Sequence, residues 1–210
     1  MRAIIRFCFK MLKKIYLRMF KTNLHPEYEL WRSTNFRAPS PQNVKLEILI
    51  SNSIPKATWI ETGTYLGDTT VVLAKNANFV ITIEPSERQY EFSLNRLKDL
   101  KNVKIINSTS EECIEEILEN LSGPTCFWLD GHYSGGYTFM GSSVTPIFAE
   151  LNSISNYLQR NRQVVIFIDD FRLFVDSSNT GYPSQNYLVD WANSHKLVWT
   201  VEQDIFIAKT

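Results

Sequence analysis

The chain of 210 residues is 44% apolar and has a formal net charge of zero, which fits one domain with a full core and a short appendage. Residues 1–21 contain seven basic side chains and no acidic one, so residues 22–210 have 15 basic and 22 acidic side chains. A body with a net charge of −7 makes nucleic acid an unfavourable partner. Three cysteines without motif spacing favour a reducing, cytoplasmic compartment.

Residues 1–21 form a predicted basic amphipathic helix, because most of their cations share one arc of a helical projection and bulky apolar side chains fill the other. Such a helix is typical of a peripheral segment on an anionic membrane surface, here the inner face of the membrane. It is equally compatible with packing on its own domain or on a second subunit of a homo-oligomer, and a disordered leader is the remaining alternative. The regular interruption by charges excludes a membrane-spanning helix. A cleaved signal peptide is disfavoured, because the segment has no uninterrupted apolar core and no small-residue cleavage site.

Residues 22–43 are polar and contain three prolines, which predicts a linker. Residues 44–210 are the predicted catalytic domain, beginning with a helix over 44–52. Strands and helices then alternate, which predicts a doubly wound, mostly parallel α/β sheet of Rossmann-like type that ends in an antiparallel hairpin. The seven predicted strands are Thr58–Glu61, Phe79–Glu84, Val103–Asn107, Thr125–Asp130, Gln163–Asp170, Leu197–Val201 and Asp204–Ala208.

The stretch from Thr58 to Thr70 predicts the ligand site, because a short buried strand turns through Gly63 and Gly67 into a helix. Ligands of open α/β sheets bind at the carboxyl ends of the strands, beside such a turn. The spacing here is Glu-x-Gly-x-x-x-Gly rather than that of diphosphate binders. Glu61 would repel a diphosphate and attract an ammonium or sulfonium group, which disfavours a dinucleotide.

Acidic side chains end four of the predicted strands, and parallel strands bring their carboxyl ends to one edge of the sheet. These acids are Glu61, Glu84, Asp130 and the pair Asp169 and Asp170. Glu84 is placed to accept hydrogen bonds from ribose hydroxyls, which indicates a nucleoside ligand. The three aspartates offer hard oxygen ligands, which suit Mg²⁺, Mn²⁺ or Ca²⁺ and not zinc.

Several motifs together resemble the class I S-adenosylmethionine-dependent methyltransferases, and more narrowly the metal-dependent macrocin-type sugar O-methyltransferases. The resemblance covers about residues 38–208. It rests on the turn Glu61–Gly67, on Glu84, on Phe127–Gly136 (Phe-Trp-Leu-Asp-Gly-His-Tyr-Ser-Gly-Gly), on Thr145–Ile147 and on Ile168–Phe174 (Ile-Asp-Asp-Phe-Arg-Leu-Phe).

The resemblance implies a cofactor site for S-adenosylmethionine. Its methionine end would lie against Glu61, Gly63 and Gly67 and its ribose against Glu84. Thr62 and Asp130 would also line the site. Thr109 stands where such proteins have an aspartate near the adenine, so Ser110 is the expected replacement. A divalent cation, Mg²⁺ by preference, would be bound by Asp130, Asp169 and Asp170.

These assignments predict transfer of a methyl group to a hydroxyl whose pKa a bound metal lowers, with His132 and Asp130 as the candidate catalytic residues. His132 is the candidate base; a substrate-orienting role and a structural role are the alternatives. The expected acceptor is a sugar hydroxyl of a glycan or glycosylated metabolite. Three alternatives stay open: a catechol-like small-molecule diol as acceptor, a Mg²⁺-dependent enzyme for a phosphorylated ligand, and a non-catalytic module on the same fold.

Overall fold

The computed structural model describes residues 26–131, 145–161, 163–175 and 181–210. The predicted N-terminal helix of residues 1–21 and the loop that begins at His132 lie outside these residues. Over the ranges that are described, no helix is both long enough and apolar enough to cross a membrane.

The chain divides into two compact units, one ending at Pro41 and the other running from Gln42 to Thr210. The described part of the first unit has one helix, α1 (Pro26–Ser33), in the segment interpreted as a linker. Trp31 Nε1 donates a hydrogen bond of 2.8 Å to the carbonyl oxygen of Arg37. The indole also packs edge-on against Phe36, with ring centroids 4.9 Å apart. The predicted boundaries at residues 21 and 43 stay predictions.

The second unit alternates strands and helices, as the sequence predicts. Its helices are α2 (Gln42–Asn52), α3 (Asp68–Asn76), α4 (Glu87–Leu97), α5 (Ser110–Glu119), α6 (Ile147–Leu158) and α7 (Gln185–Ser194), with a 3₁₀ turn at Phe171–Leu173. Its strands are β1 (Thr58–Thr62), β2 (Phe79–Ile83), β3 (Val103–Ile106), β4 (Thr125–Leu129), β5 (Val164–Ile168), β6 (Val198–Glu202) and β7 (Ile205–Lys209).

The strands form one seven-stranded sheet in the order β3-β2-β1-β4-β5-β7-β6. The first five strands are parallel to one another. The last two form an antiparallel hairpin, and β7 also pairs antiparallel with β5. The predicted doubly wound α/β fold with a closing hairpin is therefore confirmed. The strand order reverses between β1 and β4, which creates a crevice at their carboxyl ends.

Both faces of the sheet are covered, so its central strands are apolar on both sides. One core contains Ile60, Phe127, Leu129, Ile166 and Ile168 together with side chains of α5, α6 and α7. The other core contains the alternate strand residues Trp59, Cys126, Trp128, Val165 and Phe167 together with side chains of α2 and α3. The acidic side chains at or just beyond the carboxyl ends of β1, β2, β4 and β5 lie at one edge of the sheet, because these strands are parallel.

Candidate active site

The turn from Gly63 to Gly67, called the glycine turn below, follows β1 and meets the end of β4 at the crevice between these two strands. Gly63 follows β1 with φ +87°, and a Cβ atom at this position would lie 2.7 Å from the carbonyl oxygen of Asp130. Such a contact is too short for any side chain, and the positive φ independently favours glycine. Gly67 ends the turn with φ +79° at the N-terminus of α3. Both glycines are therefore required by the geometry of the crevice.

Glu84 lies directly after β2 and fixes the conformation of this turn. Its Oε2 atom accepts a hydrogen bond of 2.7 Å from the backbone N–H of Tyr65, and its Oε1 atom accepts one of 2.9 Å from the N–H of Ser86. Glu84 is only 5% exposed. Burial raises the pKa of Glu84, while the two amide donors lower it. Each oxygen retains a lone pair beyond these bonds, so ribose hydroxyls could still be accepted.

Helix α4 holds the turn from its other side. Ser93 Oγ donates a hydrogen bond of 2.5 Å to the carbonyl oxygen of Tyr65, and Arg96 donates one of 2.7 Å to the carbonyl oxygen of Leu66. The same guanidinium forms an ion pair of 2.6 Å with Asp68. These bonds preorganise the backbone between the two glycines.

Glu61 is fully buried in β1, and its Oε2 atom accepts a hydrogen bond of 2.5 Å from the Thr70 hydroxyl on α3. Burial raises the pKa of Glu61 to about 7, with a smaller contribution from the charge of Glu84. The neighbouring Thr62 faces Gly131, whose Cβ, if present, would lie 3.1 Å from Thr62 Oγ1. Glu61 and Thr62 lie at the crevice, and their contacts with a cofactor stay predictions.

Ser110 is the first residue of α5 and is 6% exposed. The segment ahead of it is tied to the end of β2, because Asn107 Nδ2 donates a hydrogen bond of 2.8 Å to the carbonyl oxygen of Glu84. The structure thus brings Ser110 to the same edge of the sheet as Glu84. Its assignment to the adenine stays a prediction.

The aspartates lie directly after β4 and β5, on the other side of the crevice. The Asp130 N–H donates a bond of 3.2 Å to the carbonyl oxygen of Thr62, and the Asp169 N–H donates one of 3.1 Å to that of Leu129. Asp170 follows with φ +53°. The sheet therefore brings these acids to one edge, although they are far apart along the chain.

In the described ranges, two cations contact the acids after β5, and sequence reasoning had considered only Arg172 here and not Lys45. Lys45 Nζ on α2 donates a hydrogen bond to Asp169 Oδ2 and lies 3.5 Å from Asp170 Oδ1. Arg172 Nη1 lies 2.7 Å from Asp170 Oδ1 and also pairs with Asp204. Burial works to lower the pKa of Lys45, but the charge of Asp169, with those of Asp130 and Asp170, outweighs burial and raises it.

The predicted divalent-cation site is not supported by this arrangement. No three histidine, cysteine or acidic side chains are placed to hold a metal ion in the described ranges of the chain. Two unit charges 4 Å apart repel by about 4 kcal/mol at an effective dielectric constant of 20, and a divalent ion would double that figure. Because the Lys45 ammonium already contacts Asp169 and Asp170, the three aspartates do not fit a divalent cation.

A small cleft opens next to these charges. In the described part of the chain its walls include Gly131, Thr145, Ile147, Asp169, Phe174 and Tyr182. Burial, together with the nearby charges of Asp170 and Asp130, raises the pKa of Tyr182 to about 12. Sequence reasoning did not single out Tyr182, because its approach to the acids depends on the packing of the segment ahead of α7. The cleft lies on the aspartate side of the crevice.

No protein-family model and no curated protein matches this sequence. Solved structures do match, among them a candidate caffeoyl-CoA O-methyltransferase from Staphylococcus aureus with 15% identity and a TM-score of 0.53, over 95% of this chain and 100% of that one. A candidate rRNA methylase from Clostridium thermocellum has 12% identity and a TM-score of 0.53, over 82% and 97% of the two chains.

A precorrin-6y C5,15-methyltransferase from Geobacter metallireducens matches with 13% identity and a TM-score of 0.52, over 83% of this chain and 92% of that one. The three enzymes named in these matches differ in acceptor, so the likeness concerns the scaffold and not the substrate. The second unit of the chain therefore has the fold of the class I S-adenosylmethionine-dependent methyltransferases.

Proposed function

We propose that the chain is an S-adenosylmethionine-dependent O-methyltransferase. The observation that carries this proposal is the crevice at the reversal of strand order, where Gly63 approaches the end of β4 and Glu84 orders the turn. In open α/β sheets this crevice is the ligand site. The methyltransferase fold of the domain makes a methyl donor the first candidate for its occupant.

Glu61 and Glu84 would form the cofactor side of the site. Glu84 accepts from two backbone amides and has lone pairs left for the two hydroxyls of a ribose. Gly63 and Gly67 have no side chain and positive φ, so a ligand can approach the backbone at these two positions. Two acidic residues favour a cationic ligand over a diphosphate.

S-adenosylmethionine, when bound, supplies a methyl group that its sulfonium already activates, so the main task of the protein is to align an acceptor with it. The cleft beside Asp169 and Tyr182 lies next to this crevice, across Gly131. We propose that it holds the acceptor hydroxyl, with Asp130 and the predicted base His132 as the groups that take up its proton. The proposed acceptor is a hydroxyl of a sugar or of a small-molecule diol.

A thermal-shift screen tests the cofactor assignment directly. The full chain is heated with S-adenosylmethionine, its demethylated product, ATP or NAD, each with and without Mg²⁺. We expect both sulfur nucleosides to raise the Tm and the two phosphorylated nucleotides to leave it unchanged, because a ligand stabilises the state to which it binds. A shift with ATP that requires Mg²⁺, and none with either sulfur nucleoside, would favour a phosphorylated ligand and defeat the proposal.

A further inference from the structure

Lys45 occupies an unusual position for a lysine. It lies in the first turn of α2 and shares its buried face with Ile48 and Leu49, and it is 9% exposed. Lysines are rarely buried without a partner. A cation in the first turn is also disfavoured by the helix dipole, whose positive end is at the N-terminus. The position therefore requires a compensating negative charge.

That charge comes from the acids that follow β5. Lys45 Nζ bonds Asp169 Oδ2 and lies 3.5 Å from Asp170 Oδ1. The charge of Asp130 also reaches the ammonium and helps to keep it protonated. Lys45 thus contacts two of the three aspartates that the sequence predicts as ligands of a divalent cation, Asp169 and Asp170.

We propose that the ammonium of Lys45 takes the place of a divalent cation between Asp169 and Asp170, so that these two carboxylates are paired within the chain and exclude Mg²⁺ and Mn²⁺. Lys45 is then a positioning residue that holds Asp169 and Asp170 beside the cleft. Its role toward an acceptor rests on the proposed methyl transfer, whereas its exclusion of metal does not. A bound metal could chelate two neighbouring hydroxyls of an acceptor, and a lysine cannot. Without the metal, the acceptor therefore needs only one hydroxyl.

Mn²⁺ titration of the full-length protein, followed by the electron paramagnetic resonance of free Mn²⁺, tests the exclusion. We expect no saturable binding up to about 1 mM Mn²⁺, the range of weak oxygen-ligand sites. Lys45→Met removes the ammonium with little change in chain length and is expected to bind Mn²⁺ at least tenfold more tightly than the wild type. The double variant Lys45→Met/Asp169→Asn is expected to lose this gain.

Two controls separate charge from helix perturbation. Lys75→Met removes an exposed lysine in the last turn of α3 and should leave Mn²⁺ binding as in the wild type, as should Lys45→Arg, which keeps the cation. Saturable binding to the wild type that Asp169→Asn abolishes would overturn the inference. So would a folded Lys45→Met variant that gains no Mn²⁺ binding. If Lys45→Met fails to fold, the titrations of the wild type and of Asp169→Asn still decide whether the acidic edge of the wild-type protein binds Mn²⁺.

Calorimetry with S-adenosylmethionine on the same wild-type sample distinguishes the two proposals. We expect the cofactor to bind with equal affinity in Mg²⁺ and in excess chelator. Absence of cofactor binding would defeat the methyltransferase assignment and leave the Mn²⁺ result intact. Saturable Mn²⁺ binding through Asp169, with normal cofactor binding, would defeat the exclusion of metal and leave the methyltransferase assignment intact.

Discussion

The two sides of the crevice manage their acidic residues by different means. On the β1–β2 side, Glu61 and Glu84 are paired with neutral donors: a threonine hydroxyl and two backbone amides. On the β4–β5 side, Asp169 and Asp170 are paired with the cations Lys45 and Arg172. All four carboxyls lie at the ends of parallel strands, yet only the second pair is neutralised by charge.

The difference indicates how the two sides can serve different ligands. No cation of the described ranges pairs with Glu61 or Glu84 on the β1–β2 side, so a cationic nucleoside would favour their ionised forms. Lys45 and Arg172 offset part of the charge on the β4–β5 side, which makes that side more suitable for a neutral hydroxyl. Variants that change the donors on one side at a time can therefore test each side separately.

The largest expected effect is on the cation-paired side. Lys45→Met leaves the buried Asp169 without its ion-pair partner, and breaking a buried pair in this way costs about 3–5 kcal/mol. We expect a decrease of that size in the free energy of unfolding, measured by urea denaturation at pH 7. Lys45→Arg should lose less than half as much. Equal stability of the wild type and Lys45→Met would show that the ion pair contributes nothing net.

Glu61 provides the second test, on the neutral-donor side. Its pKa is raised from 4.5 to about 7, so the folded state binds the proton more tightly than the unfolded state. This tighter proton binding adds to the free energy of unfolding, and the addition is complete below pH 4.5. It is lost as the pH rises through 7, and the total loss is roughly 3 kcal/mol at 1.36 kcal/mol per pKa unit. Glu61→Gln removes this term and retains an oxygen that can accept from Thr70.

Urea unfolding of both proteins between pH 4 and 8 measures the difference. We expect Glu61→Gln to gain stability relative to the wild type as the pH rises, by an amount that approaches the value above. Parallel stability profiles for the two proteins would mean that Glu61 titrates normally in the folded chain.

The comparison also shows what local sequence could predict. The alternation of strands and helices, the glycines of the turn and the acids after each strand are local patterns, and sheet topology places them on one edge. The identity of the counter-charge is not local. Lys45 is 124 residues from Asp169, and only the packing of α2 on the sheet brings them together. The one available signal was the helical spacing of Lys45. It precedes Ile48 by three residues and Leu49 by four, which places a lysine on the apolar face of a helix.

The role of Glu84 was predictable only in part. Its position at the end of β2 indicates a ribose contact, but the bond to the Tyr65 amide depends on the positive φ of Tyr65 in the glycine turn. No residue pattern specifies that conformation. The sequence therefore predicted which carboxyls gather, and could not predict which donors each of them would find.

The next smaller effect is expected at Glu84. Its removal should change the free energy of cofactor binding by less than Lys45→Met changes the free energy of unfolding. Glu84→Ala deletes the acceptor of two amide bonds and the proposed acceptor of the ribose hydroxyls, so we expect a loss of about 1–3 kcal/mol in S-adenosylmethionine binding. Isothermal calorimetry measures it, with Glu87→Ala in the exposed first turn of α4 as the matched control. Unchanged affinity in Glu84→Ala would place the ribose elsewhere.

The smallest effect is expected at Arg96, which supports the turn from outside. Its ion pair with Asp68 is solvent-exposed and worth about 0–1 kcal/mol, whereas its bond to the Leu66 carbonyl orders the backbone between the two glycines. Arg96→Met should therefore weaken S-adenosylmethionine binding by about 1 kcal/mol, and Asp68→Asn by less, because it leaves the carbonyl bond in place. Equal losses in the two variants would assign the effect to the ion pair and not to the ordered turn.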